Sequence, residues 1–117
     1  MNLYCDGRYV GHLTRYSYET PWACAILEMA DPGFLNKMVP ASYFLNVVVE
    51  EDWGDLSAAE EDAEYAHRLE RLGITAIDVD RWQNGRWEIR ESDYPDREGL
   101  IWLMECEPDG WLRWRWG

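Results

Sequence analysis

Ile101-Trp102-Leu103-Met104-Glu105-Cys106-Glu107-Pro108-Asp109-Gly110-Trp111-Leu112-Arg113-Trp114-Arg115-Trp116 reads as two strands about a turn, and its alternation decides the fold class. Pro108 to Gly110 fit a type I turn followed by a glycine bulge. With that loop, Glu107 faces Trp111, Cys106 faces Leu112, Glu105 faces Arg113, Met104 faces Trp114 and Trp102 faces Trp116. Period-two alternation then predicts Trp102, Met104, Cys106, Leu112, Trp114 and Trp116 on a core face, with Leu103, Glu105, Arg113 and Arg115 on the other.

Upstream, Trp82-Gln83-Asn84-Gly85-Arg86-Trp87 predicts a second hairpin, in which a type I′ Asn-Gly turn sets Trp82 opposite Trp87. Before it, Ser57-Ala58-Ala59-Glu60 has the form of a capping box. Small and apolar residues follow at 59, 63, 66 and 69, and Gly73 supplies a stop. The pattern predicts a helix from about 56 to 72.

Nearer the N-terminus, Leu3 to Cys5 and Arg8 to Leu13 flank Asp6-Gly7, another hairpin signal. Thr20-Pro21 interrupts pairing, Trp22 to Met29 reads as a further strand, and Asp31-Pro32-Gly33 ends it. Phe34 to Met38 fit one short helical turn, whereas Ser42 to Val49 are open between helix and buried strand. The expectation is one domain over residues 1–117 of the α+β class: an antiparallel sheet of about five or six strands with one main helix (about 56–72) packed on one face.

Hydrophobic residues make up 47% of the chain and charged residues 29%, a balance that predicts folding rather than disorder. No apolar run approaches the ~18 residues of a membrane span, and Met1 to Asp6 lack the features of a signal peptide. We therefore expect a cytoplasmic protein without a membrane partner. Cys5, Cys24 and Cys106 are odd in number and widely spaced, which predicts reduced, mostly buried thiols. A net charge of −12 repels nucleic-acid phosphates and steers basic proteins inward.

The charge is concentrated. Glu50, Glu51, Asp52, Asp55, Glu60, Glu61, Asp62 and Glu64 fall in one segment that holds no lysine or arginine. The helix dipole favours acids in its first turn by ~0.3–1 kcal/mol each, which accounts for Glu60 and Glu61. It does not account for Glu50, Glu51 and Asp52 outside the helix. With eight tryptophans in the chain, some reach the surface, and Trp53 and Trp111 are the candidates. The partner-binding set is therefore the eight carboxylates together with Trp53.

Other chemistry finds little support. The calcium-loop spacing, G-x-S-x-G and the phosphate-binding glycine patterns are absent. Cys5 and His12 are one pair the first hairpin would bring together, and His67 reads as a surface partner of Glu64. Arg113 and Arg115 are explained by pairing with Glu105 and stacking on a tryptophan. We expect no catalytic residue, no metal and no cofactor.

Asp6-Gly7, Thr20-Pro21-Trp22, the acidic central helix and the closing Asp109-Gly110-Trp111-Leu112-Arg113-Trp114 together resemble small bacterial proteins. In acidic, aromatic-rich style the chain is similar to immunity proteins of polymorphic and contact-dependent toxin systems. The resemblance spans most of the chain, rests on style and carries over no functional residue. It implies an inhibitor that blocks the active site of a basic, nucleic-acid-processing toxin or enzyme. A phage-encoded anti-CRISPR or DNA-mimic inhibitor is the alternative. A small-ligand-binding domain or enzyme, with a concave pocket, is the second. For the cysteines, titration of the denatured, unreduced protein should return three free thiols, and a single thiol would reveal an intramolecular disulfide.

Overall fold

Asp6 and Gly7 both take positive φ, 50° and 82°, the backbone that an Asp-Gly hairpin turn requires. They join β1 (Asn2–Cys5) to β2 (Arg8–Glu19) in a computed structural model that describes residues 1–28, 31–94 and 97–117. β2 turns at Thr20-Pro21 into β3 (Trp22–Glu28). Met29, the expected end of that strand, lies outside the described residues. Helix α1 (Pro32–Tyr43) starts with proline in its first turn and Asp31 as cap, then runs on through a π-helical turn, Phe44–Val48. Helices α2 (Ala58–Arg71) and α3 (Ala76–Asn84) precede β4 (Trp87–Arg90), β5 (Gly99–Cys106) and β6 (Trp111–Trp116).

All strand pairs are antiparallel, and the class is α+β as expected. Two features differ from expectation. The sheet closes as a barrel in the order β1-β2-β3-β6-β5-β4, and among the described residues three helices accompany it where one main helix was expected. Closure depends on β1 pairing on both edges, Leu3 opposite Gly11 of β2 and opposite Ile89 of β4. The Asp6 N–H donates to the Arg86 carbonyl, and the Arg86 N–H donates to Asp6 Oδ1, each at 2.9 Å. Register shifts at Leu3/Tyr4, Thr14/Ser17 and Leu103/Glu105 add the local bending that closure needs.

The closing hairpin keeps the expected register beside its turn, with Cys106 opposite Leu112 and Glu105 opposite Arg113. Beyond them the bulge shifts it, so Leu103 faces Trp114, Trp102 faces Arg115 and Ile101 faces Trp116. A one-residue shift reverses every side chain that follows. Ile101 is therefore buried, while Trp102, expected in the core opposite Trp116, is 64% exposed. Leu112 and Trp114 remain inside with Leu3 and Ile89.

Trp82 and Trp87 do touch, with centroids 6.1 Å apart, but not across a hairpin. Trp82 belongs to α3, which Thr75 and Asp78 open with a capping box. Gly85 has φ −61°, incompatible with a type I′ turn, and ends the helix instead. A Cβ there would sit 2.4 Å from the Arg81 carbonyl oxygen, so close approach is what requires glycine.

The segment 42–49 proves helical through Val48, and its role follows from strand lengths. β4 pairs with β5 only as far as Ile101, leaving Trp102 to Cys106 without a neighbour on that side. There the Cys106 N–H donates to Ser42 Oγ at 3.0 Å, and Asn46 Nδ2 donates to the Met104 carbonyl at 2.9 Å. The end of α1 and the π turn thus cover backbone that would otherwise be an open edge. α1 and α3 lie against β5, whereas α2, expected across the sheet, buries only Leu69.

The indole N–H groups of Trp114 and Trp116 are buried and have no protein acceptor among the described residues. Burying an indole removes ~150–250 Å² from water, ~4–6 kcal/mol at ~25 cal/mol/Å², against ~1–3 kcal/mol for an unmet donor. Area wins, and both rings pack beside Tyr16 at 6.1 and 6.5 Å.

Ser42→Ala removes the acceptor of a buried strand N–H. It should lower unfolding free energy by ~1–3 kcal/mol in urea titrations, and a change within ~0.5 kcal/mol would contradict this account of β5.

Candidate protein-binding surface

Ser57 Oγ accepts the Glu60 N–H at 3.2 Å, and Glu60 Oε1 accepts the Ser57 N–H at 3.3 Å. This reciprocal cap fixes where α2 begins and so where its first-turn carboxylates stand. Glu60, Glu61 and Asp62 are exposed on that turn, and Glu50, Glu51, Asp52 and Asp55 are exposed on the segment leading to it.

Arg68, which the sequence reading passed over, organises the surface. Its Nε lies 2.7 Å from Glu64 Oε1 and its Nη1 3.3 Å from Glu51 Oε2, while the guanidinium sits 4.7 Å from the centre of the Trp53 ring. The signal was present in the i,i+4 spacing of Glu64 and Arg68 on a helix already recognised. Trp53 is half-buried, its indole N–H donating to the Val48 carbonyl at 3.1 Å. Trp111, also expected at the surface, is half-buried as well.

Glu51, Trp53 and Glu64 are thus brought together around one cation, while Asp52 Oδ1 accepts the Gly54 N–H at 2.8 Å within its own turn. Among the described residues Glu50, Asp55, Glu61 and Asp62 have neither a cation partner nor a side-chain hydrogen bond. A cleft of about 340 Å³ lies between the segment and α2, with Trp53 and Tyr65 in its wall beside Glu51, Asp52 and Glu61. Tyr65 also meets Phe44 edge-on at 4.9 Å, tying the surface to the core.

The remaining polar groups lie elsewhere. His12 is opposite Asn2, its Nδ1 2.7 Å from Asn2 Oδ1, whereas Cys5 is opposite Arg8, so the first hairpin does not join Cys5 to His12. Cys5, Cys24 and Cys106 are free, and burial raises all three thiols, Cys5 and Cys106 to about 12. They remain protonated at neutral pH. Among the described residues no group of three or more His, Cys, Asp and Glu is placed to hold a metal ion, and no helix is long and apolar enough to cross a membrane. Arg113 pairs with Glu105 and lies 4.7 Å from the centre of the Trp22 ring, as the sequence suggested.

In comparisons with known proteins, no family model matches the chain, and neither a curated protein nor a solved structure matches it significantly.

The hydrogen bond from Arg68 holds the Glu64 carboxyl below its usual value of 4.5. A carboxylate with a depressed folded-state pKa contributes stability above its unfolded pKa and loses it as pH falls through the folded value. Carbon-detected titration of Glu64 should give a midpoint below 4.5, and Arg68→Gln should raise it, whereas an unmoved midpoint would remove Arg68 as its cause.

Proposed function

We propose that the protein is a stoichiometric inhibitor of the immunity type, which binds a basic, nucleic-acid-processing toxin or enzyme through the 50–64 segment. The observation that carries this reading is the poverty of internal use of that segment. Glu50, Asp55, Glu61 and Asp62 neutralise no cation among the described residues, on and beside a helix that gives only Leu69 to the core. Carboxylates without a task in the fold are free to meet an external one.

A groove that binds nucleic acid presents lysine and arginine to phosphates, and a surface of exposed carboxylates competes for it. The −12 charge accelerates encounter, while the Trp53–Tyr65 cleft offers an apolar wall to one inserted basic side chain. A phage-borne DNA mimic would use the same electrostatics, and a toxin gene beside this one distinguishes the immunity reading from it.

Glu51 and Glu64 are bound to Arg68, so the informative substitutions are elsewhere. Glu50→Gln, Glu61→Gln and Asp62→Asn combined should slow association with the basic partner retained from the host about tenfold or more at low salt. The difference should shrink as the Debye length falls from ~10 Å at 0.1 M to ~3 Å at 1 M. Unchanged association at low salt would reduce the segment to a solubility feature.

A further inference from the structure

A cavity of about 320 Å³ opens where the β1–β2 turn, the start of α1 and helix α3 meet, and Arg8, Lys37 and Arg81 all line it. These cations come from three elements distant in sequence. In a chain of net charge −12, basic side chains have many carboxylates available to them. Arg68, Arg90 and Arg113 take such partners, and Arg97 and Arg115 lie over aromatic rings. Among the described residues Arg8, Arg15, Lys37, Arg71, Arg81 and Arg86 do neither, and of these Arg8, Lys37 and Arg81 line one cavity. Lys37 is held by a carbonyl instead, its Nζ donating to the Gly73 oxygen at 2.7 Å.

Two carboxylates also line the cavity, each oriented by a backbone N–H, so the three cations of the lining exceed its anions by one. Asp6 Oδ1 accepts the Arg86 N–H at 2.9 Å, and Asp31 Oδ1 accepts the Gly33 N–H at 3.0 Å. The rest of the lining is apolar or aromatic, with Phe34 and Met38 from α1 and Tyr9 and Val10 from β2. Tyr9 is 52% exposed, a large ring with no place in the core.

The walls are set before anything binds. Phe34 meets Trp87 edge-on at 5.5 Å, and the Trp87 indole N–H donates to the Arg81 and Trp82 carbonyls, both at 3.1 Å. Cys5 borders the cavity too, but its thiol, raised to about 12 by burial, is a neutral wall group rather than a nucleophile.

From this geometry we propose that the cavity binds a small organic anion, an aromatic or apolar body bearing a carboxylate or phosphate that Arg8, Arg81 and Lys37 meet. A preformed concavity that combines apolar walls with a few charged groups is the usual form of such a site. The guanidinium groups suit planar or tetrahedral oxyanions by geometry as well as charge. The cavity shares no residue with the 50–64 surface, so either proposal can fail without the other.

The test is amide-resolved NMR titration of the full chain with phenyl phosphate, benzoate, inorganic phosphate and neutral benzyl alcohol. We expect saturable shifts at amides 6–10, 34–38 and 81 with phenyl phosphate, benzoate or both, which tells phosphate from carboxylate preference. Arg8→Gln and Arg81→Gln, at exposed positions and checked for fold in the same spectra, should each weaken binding about tenfold or more. Benzyl alcohol and inorganic phosphate should bind at least about tenfold more weakly than the better organic anion, since each lacks one half of the recognition. Equal binding of either, affinities unmoved by both substitutions, or no saturable shift up to about 5 mM would overturn the proposal.

Discussion

Beyond Ile101, the backbone of β5 outruns β4, and the groups it exposes must find partners that are not strand. Much of the architecture follows from that constraint. The Cys106 N–H is met by Ser42 and the Met104 carbonyl by Asn46, which sets the rotation of the helical segment from Pro32 to Val48. That rotation brings Met38, Ala41 and Phe44 onto the core, and Phe44 in turn receives Tyr65 of α2. The bulge beside Met104 is part of the same solution, since it turns Trp102 outward and Ile101 inward. The acidic surface is thus attached to the barrel through a helix whose position a short strand dictates.

What was legible in the sequence was local. Asp6-Gly7 and the Ser57–Glu60 capping box specify their own backbone, and both elements form as read. The closing hairpin followed its turn for two residue pairs and then departed, because a bulge depends on the partners of Met104 and leaves no mark in the alternation. Asn84-Gly85 was read as a type I′ turn that sets Trp82 opposite Trp87, yet Thr75 and Asp78 had already opened a helix that runs to Asn84. Proline and glycine at 32, 33 and 40 obscured α1, although proline suits a first helical turn. Closure of the sheet rests on Leu3 meeting Ile89, a separation over which pattern carries no information.

The two candidate sites differ in the same way. Carboxylates at 50–64 could be read from the sequence because contiguity puts them together whatever the fold. Which of them are free could not, since Arg68 selects Glu51 and Glu64 only once α2 folds against the preceding segment. The Arg8–Lys37–Arg81 cavity had no signature at all. Each cation is isolated in sequence, and only the β1–β2 turn docked on the junction between α3 and β4 gathers them.

Helix α2 is held by its cap, by Arg68, by the half-buried Tyr65 against Phe44, and by Leu69 as its sole fully buried side chain. A helix with so few buried side chains is expected to open before the barrel, because free energies of local opening track buried contact. Its amide protons would then exchange with solvent through a sub-global fluctuation of their own, while those of β1, β4 and β5 wait for the whole sheet to open. A partner seated on the acidic turn would suppress that fluctuation, so part of its binding free energy would go into ordering the helix. The looseness of α2 would thereby set a ceiling on the affinity of the proposed partner.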